Sequence, residues 1–428
     1  MKNRDTLRLN DQNVFQNPIL ETGADPWMIQ HEDHYYYCGS DNASSIFISS
    51  AADPTRIAEC EPVLVWKAPE GKAYSHETWA PELFVLDGRW YIYFAASDGC
   101  NTTHRMFVLE ADAPYGPYRF LGQISPTTDT WAIDGTVIEH DDGERYFVWS
   151  GWDGTANIQQ NLYIAKMLNP WTLVSTNKVL ETKVVSDSNF LLVLDVEADK
   201  KSDYVLEVSY ETVSHSMQQL EINGERHISL HFTATPHENT QTHFEMIPLE
   251  KGLNRLTFKA GIGDVKVKGV TVKAQFADRM LLATPEHNWE KMGGPCYVTE
   301  GPAAIKRNGK LHIIYSASAS WTDDYQLGRL TFLGGNILDI KNWKKCGPVF
   351  QKTETIYGPG HASFIQFSGQ DWIVYHTAKY SGAGWNREVR MQPFTWNENN
   401  DPEFGRPMTG PFAKSLEIEA TDVQKGIA

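Results

Sequence analysis

Short runs of alternating apolar and polar residues, each opened by a turn signal, recur along this chain. EDHYYYCGS from Glu32, DGRWYIYFAAS from Asp87, DGERYFVWSG from Asp142, NGKLHIIYSAS from Asn308 and SGQDWIVYHTA from Ser368 share this form. Side chains of a strand point alternately to its two faces, so period two predicts half-buried strands, and the turn at the head of each predicts a hairpin. No stretch of useful length shows helical periodicity. The expectation is an all-β fold.

Seven or eight residues upstream of each turn stands a polar or aromatic residue in small or apolar surroundings: Asp25 in ADPWM, Trp79 in ETWAPE, Asp134 in IDGTV, Glu300 in TEGPA and His361 in GPGHAS. If every repeat is a small antiparallel sheet, these residues begin the strand before the hairpin, and radial packing points them at one axis. The predicted architecture is a five-bladed β-propeller in which Asp25, Asp134, Glu300 and His361 share a pocket. Its ring is expected to close by residues before Asn17 meeting the stretch from Phe394 to Gly410, since closure removes exposed sheet edges.

Successive turns are 55, 55, 166 and 60 residues apart, and the third interval is too long for one repeat. The surplus, roughly a hundred residues, is the size of a small domain. None of the fourteen Trp falls between Lys178 and Ala277, where the texture changes to short strands such as YVLEVSY and NRLTFKAG. The chain therefore divides into a first propeller segment, 1–177, an inserted β-sandwich, 178–277, and a second propeller segment, 278–428.

A net charge of −16 without any basic run argues against nucleic acid as a partner, because phosphate binding needs clustered Lys and Arg. The surplus of Trp suits apolar sugar faces as well as blade packing. Five scattered Cys without CxxC spacing give neither a disulfide framework nor a zinc site. The first twenty residues contain no apolar leader-like run, and no segment approaches a membrane-spanning length, so a cytoplasmic protein without membrane contact is expected, or a secreted one if a leader has been trimmed away.

Two carboxyl groups opposed across a sugar are the usual equipment for glycosidic hydrolysis, one protonating the leaving oxygen and the other activating water or attacking directly. A third nearby carboxylate raises the acid's pKa and keeps it protonated near neutrality. Asp25, Asp134 and Glu300 supply that set. His361 is either a buried, hydrogen-bonded histidine near the axis or a ligand. Arg390, on the same side of its strand as Gln392, is a candidate fork for sugar hydroxyls, and Trp27, Trp79, Trp152 and Trp321 are candidate stacking surfaces.

NPILETGADPW, HETWAPELFVLDGRWYIYFAAS, WAIDGTVIEHDDGERYFVWSG, VTEGPAAIKRNGKLHIIYSAS and YGPGHASFIQ together resemble glycoside hydrolase family 43, five-bladed propellers acting mainly on arabinans, arabinoxylans and xylo-oligosaccharides. The resemblance covers the chain except the insert. It implies that Asp25 is the general base, Glu300 the general acid and Asp134 the residue that tunes and orients that acid, with inversion of configuration. It implies no cofactor for the chemistry. A structural calcium near the axis, close to His361, is the one metal it allows. SGWDGTANIQQNLYIAKMLNPWTL, SWTDDYQLG and SGAGWNREVRMQPFTW look most like exo-acting α-L-arabinofuranosidases, so an arabinose- or xylose-containing oligosaccharide or polysaccharide is the expected partner. A β-xylosidase and a non-catalytic sugar-binding propeller remain the alternatives. The insert resembles carbohydrate-binding β-sandwich modules but has no Trp, which favours a packing or oligomer-contact role.

Overall fold

The computed structural model describes residues 14–124, 131–154, 156–188, 191–199, 201–235, 240–277 and 279–414. Five antiparallel sheets follow one another in chain order. Blade 1 is Trp27–His31, His34–Ser40, Ser45–Ala51 and Val63–Lys67, and blade 2 is His76–Leu86, Arg89–Ser97, Arg105–Ala111 and Arg119–Gln123. Blade 3 opens with Ala132–Glu139, Arg145–Trp152 and Gln160–Asn169. Blade 4 is Thr299–Arg307, Lys310–Ala317, Gln326–Phe332 and Trp343–Phe350; blade 5 is Tyr357–Phe367, Gln370–Ala378, Arg387–Trp396 and Pro402–Glu403. The first strand of each blade touches the first strand of the next, and that of blade 5 returns to blade 1, so five inner strands enclose one axis.

The alternation read from the sequence places its apolar set between the blades. Ile46 and Ile48 meet Ile92 and Phe94 between blades 1 and 2. Val148 and Ile164 meet Ile313 and Tyr315 between blades 3 and 4. Trp90 and Trp343 lie in these cores and Trp372 in the one between blades 5 and 1, whereas Trp171 stays partly exposed.

Ring closure uses both ends of the described chain. Val14–Phe15 pairs with Phe412–Ala413, and Leu20 bridges to Val389 of blade 5. The Asn17 side chain donates to the carbonyls of Met391 (2.8 Å) and Met408 (3.1 Å) and accepts from the Met391 N–H at 2.9 Å. One buried amide thus ties the entering chain to blade 5 and to the segment that follows it. Of the residues expected in this closure, 1–13 lie outside those described.

Val174–Asp278 forms the larger part of a second compact unit. Its four-stranded sheet contains Ser175–Val179, Lys266–Ala277, Ser202–Glu211 and Gln241–Leu249. Its five-stranded sheet contains Thr182–Ser188, Leu191–Ala198, Gly252–Ile262, Ser216–Ile222 and Arg226–Phe232. Tyr204, Leu206, Leu220, Phe232, Leu256 and Val272 share its core.

The outer edge of blade 3 is built from both sides of that excursion. Thr172–Leu173 pairs with Gln160–Asn169 just before it, and Met280–Ala283 pairs with the same strand just after. Leu173 stands opposite Met167 and Met280 opposite Ile164, so departure and return lie about 10 Å apart at roughly 3.3 Å per residue. Bridging so short a gap changes closure entropy little. Deleting Val174–Asp278 and joining Leu173 to Arg279 through a short Gly-Ser linker should therefore leave a soluble β protein with a cooperative thermal transition. Circular dichroism with a melting scan checks this; loss of the cooperative transition would show that blade 3 depends on the second unit.

Candidate active site

Each inner strand has a left-handed residue in it or, in blade 1, just before it: Asp25 at φ 48°, Ala80 at 42°, Asp134 at 52°, Gly301 at 53° and His361 at 46°, with Glu77 and Gly358 adding a second in blades 2 and 5. In blades 2 to 5 the strand pairing slips at this point, between Trp79 and Glu82, Ile133 and Thr136, Glu300 and Ala303, and Gly360 and Ser363. Such bulges leave residues unpaired and re-aim their side chains. In blade 1, Asp25 stands immediately before Pro26 and the first strand. The five residues singled out in the sequence are thus not strictly equivalent. Asp25, Asp134 and His361 occupy the left-handed position, while Trp79 and Glu300 stand one residue before it.

The structure brings Asp25, Asp134, Glu300 and His361 together. His361 Nδ1 lies 3.2 Å from Asp25 Oδ1 and 3.9 Å from Asp134 Oδ2. The Gly301 N–H donates to Asp134 Oδ2 at 3.0 Å, which ties Asp134 to the residue following Glu300. Glu300 Oε1 accepts from the Tyr325 hydroxyl at 2.8 Å. Ser316 Oγ accepts from the His361 N–H at 2.8 Å.

Electrostatics then separates the carboxyl groups. Burial alone would raise Asp25, but the charge and hydrogen bond of His361, with His376 and Arg387, hold it well below the usual carboxylate range. Burial, with the negative charge of Asp134, pushes Glu300 up to about 8 against the Tyr325 hydrogen bond. Asp134 is raised by burial to about 6, with His361 opposing and Asp25 adding to the rise. His361 loses stability as a cation through burial but gains more from Asp25 and Asp134, reaching about 9. Near neutral pH the site holds an ionised Asp25, a cationic His361 and a protonated Glu300.

Sequence reasoning missed four side chains here. Arg387 Nη1 lies 3.2 Å from Asp25 Oδ1, and its Nη2 donates to the Ser320 carbonyl at 2.8 Å. His376 Nδ1 lies 3.0 Å from the Asp25 N and 3.3 Å from Asp25 Oδ1, and burial lowers this ring to about 3, so it is neutral. Tyr325 stacks on His376 with centroids 5.6 Å apart. Glu82 is fully buried with both carboxyl oxygens unpartnered, and burial pushes it well above the usual range. His376 had a usable signal: the register read back from the Ser368-Gly369 turn sets it opposite Gly360. Tyr325 and Arg387 sit where loops meet strands, which periodicity does not reach.

Several expected sugar contacts are engaged elsewhere. The indole of Trp27 donates to the Leu83 carbonyl at 2.8 Å and packs in the core between blades 1 and 2. Trp152 is buried against Trp131, stacked at 4.7 Å, and Trp79 is stacked on His104 at 4.0 Å. Arg390 pairs with Glu388 inside blade 5 (Nη2 to Oε1, 2.5 Å) and donates from Nε to Thr377, so the guanidinium reaching Asp25 is that of Arg387. The His361 imidazole lies against the Asp25 and Asp134 carboxylates. The imidazole is a cation held by carboxylates, and no group of at least three His, Cys, Asp or Glu among the described residues is arranged to hold a metal.

Against this geometry, the profile of Glycosyl hydrolases family 43 matches residues 15–193 and 266–402. The chain belongs to this family. Family 43 relatives include the extracellular exo-α-(1→5)-L-arabinofuranosidase of Streptomyces avermitilis, 26% identical over 92% of this chain and 64% of that protein. The enzyme of the same name from Streptomyces chartreusis is 26% identical over 86% and 83%. The chain thus spans less than two thirds of the S. avermitilis relative. The crystal structure of an α-L-arabinofuranosidase from Lactobacillus brevis, 28% identical, superposes with a TM-score of 0.63 over 94% of this chain and 98% of that one. These relatives correct the cytoplasmic expectation. Both Streptomyces proteins are named extracellular, which points away from the cytoplasm. A missing apolar leader is a poor guide to location, because a mature secreted chain has none either.

Gly301 gives the site a sensitive test. A Cβ at this position would lie 3.0 Å from His361 Cγ and Nδ1, on a backbone at φ 53°. Gly301→Ala should cost about 1–2 kcal/mol in backbone strain and, by displacing His361 and the Asp134 hydrogen bond, lower kcat/KM on the order of 100-fold. Thermal melting and steady-state kinetics measure the two effects separately.

Proposed function

We propose that this family 43 protein is an exo-acting α-L-arabinofuranosidase that releases terminal arabinofuranosyl residues from arabinan or arabino-oligosaccharides with inversion. The observation that carries the reading is the split in charge state on one axis: Asp25 held ionised and Glu300 held protonated. The names of the Streptomyces and Lactobacillus relatives support the choice of sugar.

The chemistry follows from that split. Glu300 gives its proton to the glycosidic oxygen as the C1–O bond breaks. Asp25 takes a proton from a water that attacks C1 from the opposite face, forming the new C–O bond in the same displacement. The cycle leaves Asp25 protonated and Glu300 ionised, and exchange with solvent restores both. Asp134 keeps Glu300 protonated by its negative charge and is held in place through the Gly301 N–H. His361 and Arg387 both hold Asp25 through its Oδ1 and so fix the carboxyl group that takes the proton. An intervening water requires the Asp25 and Glu300 carboxyl groups to stand roughly 6.5 to 9.5 Å apart.

Paired assays on nitrophenyl α-L-arabinofuranoside and nitrophenyl β-D-xylopyranoside test the sugar. The arabinofuranoside should be the better substrate by kcat/KM, and preference for the xyloside would replace this reading with β-xylosidase. Glu300→Gln should lower turnover of arabinobiose by about 10²–10⁴-fold. The nitrophenyl arabinofuranoside, whose leaving group needs little protonation, should suffer less. Equal activity of variant and wild type on arabinobiose would remove Glu300 from the role of acid.

The pH dependence has a definite sign. Glu300, raised to about 8, must be protonated, so kcat/KM should fall as pH rises through about 8. Asp25, held low, imposes no loss in the neutral range. Asp134→Asn removes a charge that raises Glu300, so the residual activity should show its alkaline limb at lower pH than wild type. A pH–rate profile of the two proteins, with circular dichroism to exclude unfolding, decides it.

A further inference from the structure

Two loops rise beside the carboxylates where blades 4 and 5 meet. Residues 318–325 join the second and third strands of blade 4, and residues 379–386 join the corresponding strands of blade 5. Each carries an exposed indole: Trp321 is 37% exposed and Trp385 66%. The rings form an edge-to-face pair with centroids 5.9 Å apart at 71°. Exposed, paired tryptophans are costly to leave in water without a use, because each presents a large apolar face.

The loops holding them are braced. Asp323 accepts from Ser381 Oγ (2.5 Å) and from the Gly382 N–H (2.8 Å), and its own carbonyl accepts from the Gly358 N–H (3.0 Å). The blade 5 loop closes on itself through Lys379 N–H to Asn386 O at 3.1 Å. The Trp385 Nε1–H reaches Ser320 Oγ at 3.3 Å. The indoles are therefore pre-set rather than mobile, which lowers the ordering cost of binding.

They are also wired to the reacting groups. The carbonyl of Ser320 accepts from Arg387 Nη2 (2.8 Å), and the other arm of that guanidinium lies on Asp25 (3.2 Å). Tyr325, at the end of the Trp321 loop, donates to Glu300. Trp321 thus shares a loop with Tyr325, the partner of the acid, and Trp385 is held against that loop through Ser320.

Resting on the arabinofuranosidase reading, we propose that Trp321 and Trp385 form a stacking subsite for the sugar on the leaving-group side of the scissile bond. Its ligand is an uncharged pentose ring presenting a C–H face. The pair selects for arabino-oligosaccharides over simple glycosides and leaves recognition of the terminal arabinofuranose to the axial residues.

The test compares α-1,5-linked arabinotriose with methyl α-L-arabinofuranoside, which share the terminal sugar and differ in what leaves. For Trp385→Ala and Trp321→Ala, the ratio of kcat/KM on arabinotriose to that on the methyl glycoside should fall roughly tenfold each, mainly through KM on arabinotriose. Trp385→Phe should keep most of the ratio. In Glu300→Gln protein, arabinotriose should shield both indoles from N-bromosuccinimide, read by peptide mass spectrometry, and free arabinose should not; this holds even where an alanine variant fails to fold. Equal losses on both substrates, an unchanged ratio, or unshielded indoles overturn the subsite. A wild-type enzyme inert on both arabinosides overturns the arabinofuranosidase reading, and the subsite with it.

Discussion

The imidazolium of His361 is the interaction on which the centre of this propeller depends. Asp25, Asp134 and Glu300 converge on one axis, and Glu82 lies buried close by. Buried like charges cannot all ionise, and the cost of desolvating each runs to several kcal/mol unless a partner compensates. His361 supplies the compensating charge to Asp25 and Asp134 together. With Arg387 added on the Asp25 side, the balance there tips towards ionisation, while Glu300 and Glu82, which have no cationic neighbour within salt-bridge distance among the described residues, keep their protons. One ring thereby sorts chemically similar groups into acid and base.

The backbone carries its share of that sorting. A left-handed backbone is strained for anything but glycine, and here Asp25, Ala80, Asp134 and His361 adopt it in or just before the inner strands of four blades. For Asp25, Asp134 and His361 the strain persists because the side chain is turned inward, where ion pairs and hydrogen bonds hold it. Blade 4 solves the same problem differently: Gly301 takes the left-handed conformation, its N–H serves Asp134, and Glu300 acts from the position before.

That difference marks the limit of what the sequence reveals. Turn pairs and period-two runs expose the five hairpins, because each is a local pattern with a local cause. The tryptophan-free interval exposes the second unit for the same reason: a change of texture needs no tertiary information. The inward placement of Asp25, Asp134 and His361 follows from counting back from each turn, and the same count brings out Glu300 only because the bulge tolerates an offset of one residue. Arg387 and Arg390 show where counting fails. Both lie on one strand three residues apart and so on opposite faces, and counting does not tell which face meets the axis: Arg387 reaches Asp25, whereas Arg390 pairs with Glu388. Trp27 and Trp152 fail similarly, since an indole near the axis can face a neighbouring blade as readily as a ligand.

The seal made by Asn17 and the Val14–Phe15 pairing has a kinetic meaning. It joins parts of the chain separated by nearly the whole sequence, and contacts of such separation form late because loop-closure entropy must be met before they stabilise anything. The hairpins of single blades can assemble on local information as they emerge during synthesis. The ring cannot: blade 5 and the strand at Phe412–Ala413 follow the other blades in the chain, and until they dock, the apolar face of blade 1 formed by Met28, Tyr35 and Ile57 stays uncovered. Folding of this protein is thus partitioned in time, with blades as early units and the circle completed only when its last strand arrives.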